Sequence, residues 1–311
     1  MNIAELPTRR TEDWKYSDLR LALRDTALPT TDAPAPARSW RTLEGPIDRL
    51  ALAQGGHEMT EVAPRVDGRA QVLVETLADD GLDARIHEIR VLPGAKLTRI
   101  LVQTGDGVTL NAAYVSVGAG GVFRQVVVAL GGTLARIETH VTVDGAGAEV
   151  SLNGVYLCAR DRHADLTSVV AHKAVGATTR QLIKGAVRGG GRGVFQGRLI
   201  VERGAQKTDA RQYHHALLLE EGAEAFAKPE LLINADDVQC AHGNTVGALD
   251  GEALFYMRAR GVPEAEARAL LVEAFLGEAL GTEIDGEQRA DLSSIISSWL
   301  RTPAAVKSDL S

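Results

Sequence analysis

Val122-Phe-Arg-Gln-Val-Val-Val-Ala-Leu-Gly-Gly-Thr-Leu-Ala-Arg-Ile-Glu-Thr-His-Val-Thr-Val143 reads as two β-strands, Val122–Leu130 and Leu134–Val143, folded about a glycine corner. Both runs are rich in valine, isoleucine and threonine, which fit a pleated surface. The second ends in strict alternation, Thr139-His-Val-Thr-Val143, so one face is apolar and the other polar. The same texture extends on both sides. Further candidates are Gln71–Glu75, Leu97–Val102, Thr109–Val117, Glu149–Leu157, Leu166–Ala171, Thr178–Val187, Val194–Val201, Ala210–Leu219 and Leu231–Asn234.

Glycine and proline agree with this reading. Residues 67–247 hold 24 of the 32 glycines but only two prolines, Pro93 and Pro229. Proline is excluded where backbone N–H groups are paired in ladders, whereas glycine marks corners. No gap between the strands holds a convincing amphipathic helix, which argues against a doubly wound α/β fold. Short strands with glycine corners favour a solenoid, and coils of about 20 residues would give roughly nine turns. Val126, Val128, Ile137 and Val141 are expected to line its interior.

The ends read differently. Residues 1–46 form a short helical stretch, Thr11–Arg24, and a linker with Pro29, Pro34, Pro36 and Pro46. Residues 47–249 form the β-core, and residues 250–311 turn helical. Asp250 caps a predicted helix over Glu252–Arg260, stopped by Gly261. Pro263 and Gly281 bracket a second helix, with Ala267, Leu270, Leu271, Ala274 and Phe275 as its apolar stripe. Leu271 and Phe275 are expected to cover an end of the solenoid. Leu292, Ile295, Ile296 and Trp299 make another stripe.

Composition narrows function. The 311 residues carry a net charge of −7, which disfavours nucleic acid as a partner. Two cysteines exclude a disulfide scaffold and fit a reducing compartment. There is no apolar signal core at the N-terminus and no apolar run of about 18 residues, so no membrane span is expected and the cytoplasm is the expected address. A P-loop, a nucleophile elbow and a His-Glu-x-x-His helix are all missing. Gly189-Gly-Gly-Arg-Gly193 reads as a solenoid corner. Asp79-Asp80 and Asp236-Asp237 suit turns, although paired carboxylates could serve a β-helical carbohydrate-active enzyme. Aromatic content of only 4% counts against that alternative.

One constellation carries chemistry. Cys240 and His242 lie two apart, so on a strand they project to the same face. A thiolate beside an imidazole suits iron, zinc or copper, but two ligands cannot close a site. A stand-alone metal-binding protein is therefore a further alternative. His214 and His215 are neighbours and face opposite ways, one buried and one exposed. Cys158 reads as a buried structural thiol.

The longer segment around this pair, from Lys207-Thr-Asp-Ala-Arg-Gln-Tyr-His-His215 to Asp236-Asp-Val-Gln-Cys-Ala-His-Gly-Asn-Thr-Val-Gly247, closely resembles the core of the SufB/SufD family of iron–sulfur cluster assembly scaffolds. Leu254-Phe-Tyr-Met-Arg-Ala-Arg-Gly-Val-Pro263 continues the match, and Thr11-Glu-Asp-Trp-Lys-Tyr-Ser-Asp-Leu19 resembles the family's N-terminal signature. The Cys-x-His-Gly form and the Trp-Lys-Tyr signature are closer to the SufD branch than to SufB. Ala241 and Asn244 depart from the usual Cys-Ser-His-Gly-Ala-Thr, and most of the family's N-terminal helical region is expected to be missing. The resemblance implies a right-handed parallel β-helix flanked by helices, acting as a non-catalytic scaffold. It implies a heterodimer with SufB and a SufC ATPase docked at the C-terminal helices, for which Arg258, Arg260 and the turn Pro263-Glu264-Ala-Glu266 are candidates. His242 would be an iron ligand or proton acceptor facing SufB, with Cys240 secondary. No cofactor is expected to be held stably by this chain alone; an iron–sulfur cluster would pass through the complex, and flavin binding is left open. An exposed final strand around Val238–Gly243 predicts a homodimer of the isolated chain, paired edge to edge about a two-fold axis.

Overall fold

A computed structural model describes residues 2–29, 39–282 and 284–302. Pro34 and Pro36 of the linker, and the chain beyond Thr302, lie outside the described residues. The strands are β1 (His57–Val62), β2 (Gln71–Leu77), β3 (Leu82–Val91), β4 (Lys96–Gln103), β5 (Val108–Val117), β6 (Val122–Ala129), β7 (Leu134–Val143), β8 (Glu149–Cys158), β9 (His163–His172), β10 (Thr178–Val187), β11 (Arg192–Val201), β12 (Asp209–Leu218), β13 (Glu224–Ile233) and β14 (Gln239–Gly247). Odd-numbered strands form one seven-stranded sheet and even-numbered strands the other, with every ladder parallel. The chain thus winds as a parallel β-solenoid whose turns each give one strand to each sheet.

There are seven turns, not nine. Lys96 pairs with Val122, 26 residues on, and Arg192 pairs with Glu224, 32 residues on. Two strands of up to ten residues plus two corners need more chain than a coil of about 20 allows. The corners use left-handed backbone at Gly94, Gly120, Gly147 and Gly176 on one side, and at Gly131, Gly190 and Gly222 on the other. Such angles cost glycine nothing sterically.

Alternate residues fill the space between the sheets. Leu97, Phe123, Val150 and Leu152 of the even sheet meet Val115, Val141, Val170 and Leu199 of the odd sheet. Ile137 and Val141 line this interior as expected. Val126 and Val128 do not: they lie on the outer face of the even sheet with Ile100 and Val155, beneath the C-terminal helices. Both faces of that sheet are apolar there, so alternation could not distinguish inside from underside.

Each sheet has its own outer cover. On the odd sheet the N-terminal segment lays Leu6, Trp14, Leu19, Leu23 and Leu50 over Ile86, Leu110 and Leu134. This cover is a one-turn 3₁₀ helix at Glu12–Trp14, α1 (Leu19–Ala22) and α2 (Pro46–Gln54). Pro46 opens α2 rather than closing a linker, and the Gly45 N–H donates to Asp48 Oδ2 at 3.0 Å. On the even sheet, α4 (Glu264–Gly277), a 3₁₀ turn at Glu278–Leu280 and α5 (Gly286–Arg301) bury Val272, Leu276, Leu280, Leu292 and Ile296. The second helix is rotated from the predicted stripe: Ala267, Val272 and Leu276 face in, while Leu270 and Ala274 are exposed. Its sequence is apolar on almost every side, and the flat sheet face selects one of two overlapping stripes. These helices cover a face of the solenoid, not its end. The stripe from Leu292 to Trp299 packs as predicted.

Candidate functional site

The last turn is built from β12, β13 and β14. Strand β14 pairs with β12 alone, so its other edge is free among the described residues. In register, Ala210 faces Cys240, Gln212 faces His242, Tyr213 faces Gly243 and His214 faces Asn244. Ala210, Gln212 and His214 are buried, so Cys240, His242 and Asn244 sit on the face that continues the solenoid interior. The predicted shared face of Cys240 and His242 is therefore present. Their surroundings differ. Cys240 is half-buried against Val201, Ala205 and Ala235, and burial pushes its thiol pKa up. His242 is exposed.

Behind them lies a polar-aromatic wall. His214 Nε2 is 2.8 Å from Tyr156 Oη, and Nδ1 is 2.6 Å from Asn244 Oδ1. The amide oxygen can only accept, so Nδ1 carries the proton and Nε2 accepts from the tyrosine. Burial holds His214 down to about 4, in keeping with a neutral ring. Asn244, a departure from the family pattern, thus ties β14 to the interior. His215 points outward beside Thr245, as the neighbour rule required. Cys158 is fully buried, and burial raises its pKa to about 12, as fits a structural thiol.

Gly243 has a local reason that sequence reading missed. A Cβ there would lie 2.9 Å from the Tyr213 ring, which rests across the strand on its outer face. The Cys-x-His-Gly pattern therefore combines two inward side chains with an outward gap. No group of three or more His, Cys, Asp or Glu suited to a metal ion exists among the described residues. The chain brings two donors to the edge and no more.

The second set of predicted residues sits on the C-terminal helices. Helix α3 (Gly251–Ala259) starts at Asp250, whose Oδ1 accepts from Glu252 and Ala253 N–H, and ends before Gly261 in left-handed backbone. Arg258 pairs with Glu264 at 3.3 Å, and Glu264 also accepts from Arg268 at 3.2 Å. Arg260 lies 4.7 Å from the Tyr256 ring centre. Pro263 is the N-cap of α4, and Glu266 is exposed. No hydrogen bond or ion pair joins this set to Cys240 or His242 among the described residues. Sequence reading passed over its apolar part. Helix α3 buries none of its residues; Phe255 is 73% exposed, Tyr256 59%, and Leu270 on α4 46%. Large exposed side chains at this density mark a contact surface.

Comparison with known proteins follows this geometry. A family model described as SUF system FeS cluster assembly, SufBD core domain, matches residues 54–275. An iron–sulfur cluster assembly SufBD family protein of Mycobacterium bovis is 32% identical over 248 residues, which is 74% of this chain and 62% of the relative. The iron–sulfur cluster assembly protein SufD of Escherichia coli is 36% identical over 149 residues, 48% of this chain and 35% of that protein. The chloroplastic protein ABCI7 of Arabidopsis thaliana is 33% identical over 198 residues, 63% of this chain and 42% of that one. The match thus spans less than two thirds of each of these relatives.

Proposed function

The chain belongs to the SufBD family of SUF iron–sulfur cluster assembly, and from that premise we propose that it is a non-catalytic scaffold subunit which pairs with a SufB-type chain along β14 and docks a SufC-type ATPase on α3 and α4. The observation that carries this reading is the free β14 edge with Cys240 and His242 on one face. An unpaired edge is a template for another strand. Iron–sulfur clusters are commonly held by four thiolates, and this edge supplies one thiol and one imidazole. A partner strand laid along β14 would bring the missing donors to His242, whose ring can bind iron when neutral or carry protons. The nascent cluster is cargo of the assembled complex. Without that partner, two copies would pair their β14 edges as a homodimer. No described helix is long and apolar enough to cross a membrane, and the proposed place of action is the cytoplasm.

On the docking surface, the exposed rings of Phe255 and Tyr256 supply contact area, while Arg258, Arg260, Glu264 and Glu266 form a polar rim. The experiment is reconstitution with SufB and SufC. His242→Ala should leave the complex intact but lower its iron content or cluster yield, and Cys240→Ala should cost less. Wild-type cluster formation by His242→Ala in an intact complex would make the histidine structural. Failure of the wild-type chain to co-purify with SufB and SufC would end the scaffold reading itself.

A further inference from the structure

A gap in the N-terminal cover opens a pocket of about 200 Å³ onto the outer face of the odd sheet, between the 3₁₀ turn at Glu12–Trp14 and the start of α2. An engineered cavity of roughly 150 Å³ accepts benzene, so this space suits a molecule somewhat larger. Its floor is rigid. Arg136 is buried between Trp14, 4.0 Å from the ring centre, and the carboxylates of Asp165 at 2.8 Å and Glu138 at 2.6 Å. Ser17 in turn donates to Asp165 at 2.5 Å. Glu138 is ionised: burial alone would raise its pKa, but Arg136 and His140 hold it at about 2.

Three polar atoms at this pocket are unspent. Glu138 can only accept, so the His140 contact at 3.0 Å places the proton on Nε2 and leaves Nδ1 without a partner among the described residues. Gln196 is only 7% exposed and donates its amide N–H to Asp165 and Thr167, so its carbonyl oxygen is left as an acceptor. Arg198 uses Nε and Nη2 on Glu230, with Asp13 3.6 Å from Nη2, and its Nη1 makes no bond among the described residues. Lys228 completes the rim, paired at 2.5 Å with Glu12 and 3.8 Å from Glu230.

Arg198 and Lys228 against Glu230 leave one positive charge. It is balanced by Glu12 and Asp13, two exposed carboxylates on the 3₁₀ turn. Exposed ion pairs of this kind are worth only about 0–1 kcal/mol. A ligand carboxylate can replace them. We propose that this pocket binds a small hydroxycarboxylate, its carboxylate on Arg198 and Lys228 in place of the Glu12 and Asp13 contacts, and its hydroxyl on Gln196 Oε1 and His140 Nδ1. The site is independent of β14 and of partner docking.

Titration calorimetry of the purified chain with lactate and malate, and with propionate and succinate as partners lacking the hydroxyl, tests it. Lactate and malate should bind at least threefold more tightly than their deoxy counterparts. Arg198→Ala should weaken binding at least tenfold. The Glu12→Gln/Asp13→Asn variant removes the internal competitors on the surface and should bind threefold to tenfold more tightly. Saturable binding with that pattern supports the site. No saturation by any of the four acids, equal binding of the deoxy acids, or unchanged or weaker binding in the Glu12→Gln/Asp13→Asn variant overturns it.

Discussion

The middle turns and the last turn obey one pattern with opposite outcomes. In β7 and β8 almost every residue is buried, because a sheet faces each strand on one side and a cover lies on the other. In β13 and β14 the same alternation continues, yet few side chains are buried. Inward residues of β8 meet the opposite sheet and the turns on either side; those of β14 meet a turn on one side only. Stability is thus concentrated in the middle, while the donors Cys240 and His242 stand where the pattern is interrupted. A solenoid has identical needs at every turn, so an uncovered turn signals a surface kept for something outside the chain.

The strongest way to break this comparison is at Tyr156. Its ring fills the space left by Gly185 and Gly193, where an added Cβ would come within 2.0 Å of it, and it stacks with His214. Tyr156→Ala should cost about 3–5 kcal/mol, read as a fall in melting temperature of roughly 10 °C. Gly185→Ala should cost about 1–3 kcal/mol by overpacking. A matched change in the last turn, Val246→Ala, should stay within about 0.5 kcal/mol. Equal losses at Tyr156 and Val246 would abolish the contrast.

Acid sharpens it next. His172 and His214 are buried, and burial lowers both to about 4. The unfolded chain takes up their protons near pH 6.5 and the folded chain does not. Stability is therefore intact above about pH 6.5 and falls as pH drops toward 4, by at most about 1.4 kcal/mol per pH unit for each histidine. His172→Gln should flatten denaturant-measured stability across that window. His242→Ala, at the exposed edge, should leave the profile unchanged.

Smaller still are the effects at the docking helices. Phe255→Asp, or Arg258→Glu with Arg260→Glu, should alter chain stability by no more than about 0.5 kcal/mol, because α3 buries none of its residues. Each should still reduce retention of a SufC-type ATPase in pull-down. If Phe255→Asp retains the ATPase and the arginine variant loses it, the contact is electrostatic; the reverse makes the rings the anchor.

Much of the fold was legible because glycine corners and β-branched runs are local signals. What was missed followed from long-range facts. Leu82-Asp-Ala-Arg-Ile-His-Glu-Ile-Arg-Val91 looks too charged for a core strand, yet Glu88 is buried because Ser39, the Trp40 N–H and His57 satisfy it from the N-terminal cover and from β1. Most of β13 went unread because Lys228-Pro229 interrupts it, and proline is tolerated there because β13 is an edge strand. The Cys240–His242 face was legible from spacing alone. Its open edge, the Tyr213 ring over Gly243 and the pocket beneath Trp14 were not, since each depends on chain brought from another turn.

The spacing between turns drifts in one direction. Leu82 pairs with Val108, 26 residues on; Thr178 pairs with Asp209, 31 on; and Arg192 pairs with Glu224, 32 on. Strands stay near ten residues, so the extra chain goes into the corners and lengthens the perimeter toward β14. The two ends of the solenoid therefore have different calibres. A second solenoid can continue the stack at β13 and β14 without a step only if it presents an equally wide rung. End-to-end matching by girth would align wide mouth with wide mouth, selecting a closed pair over a head-to-tail filament before any side chain is compared.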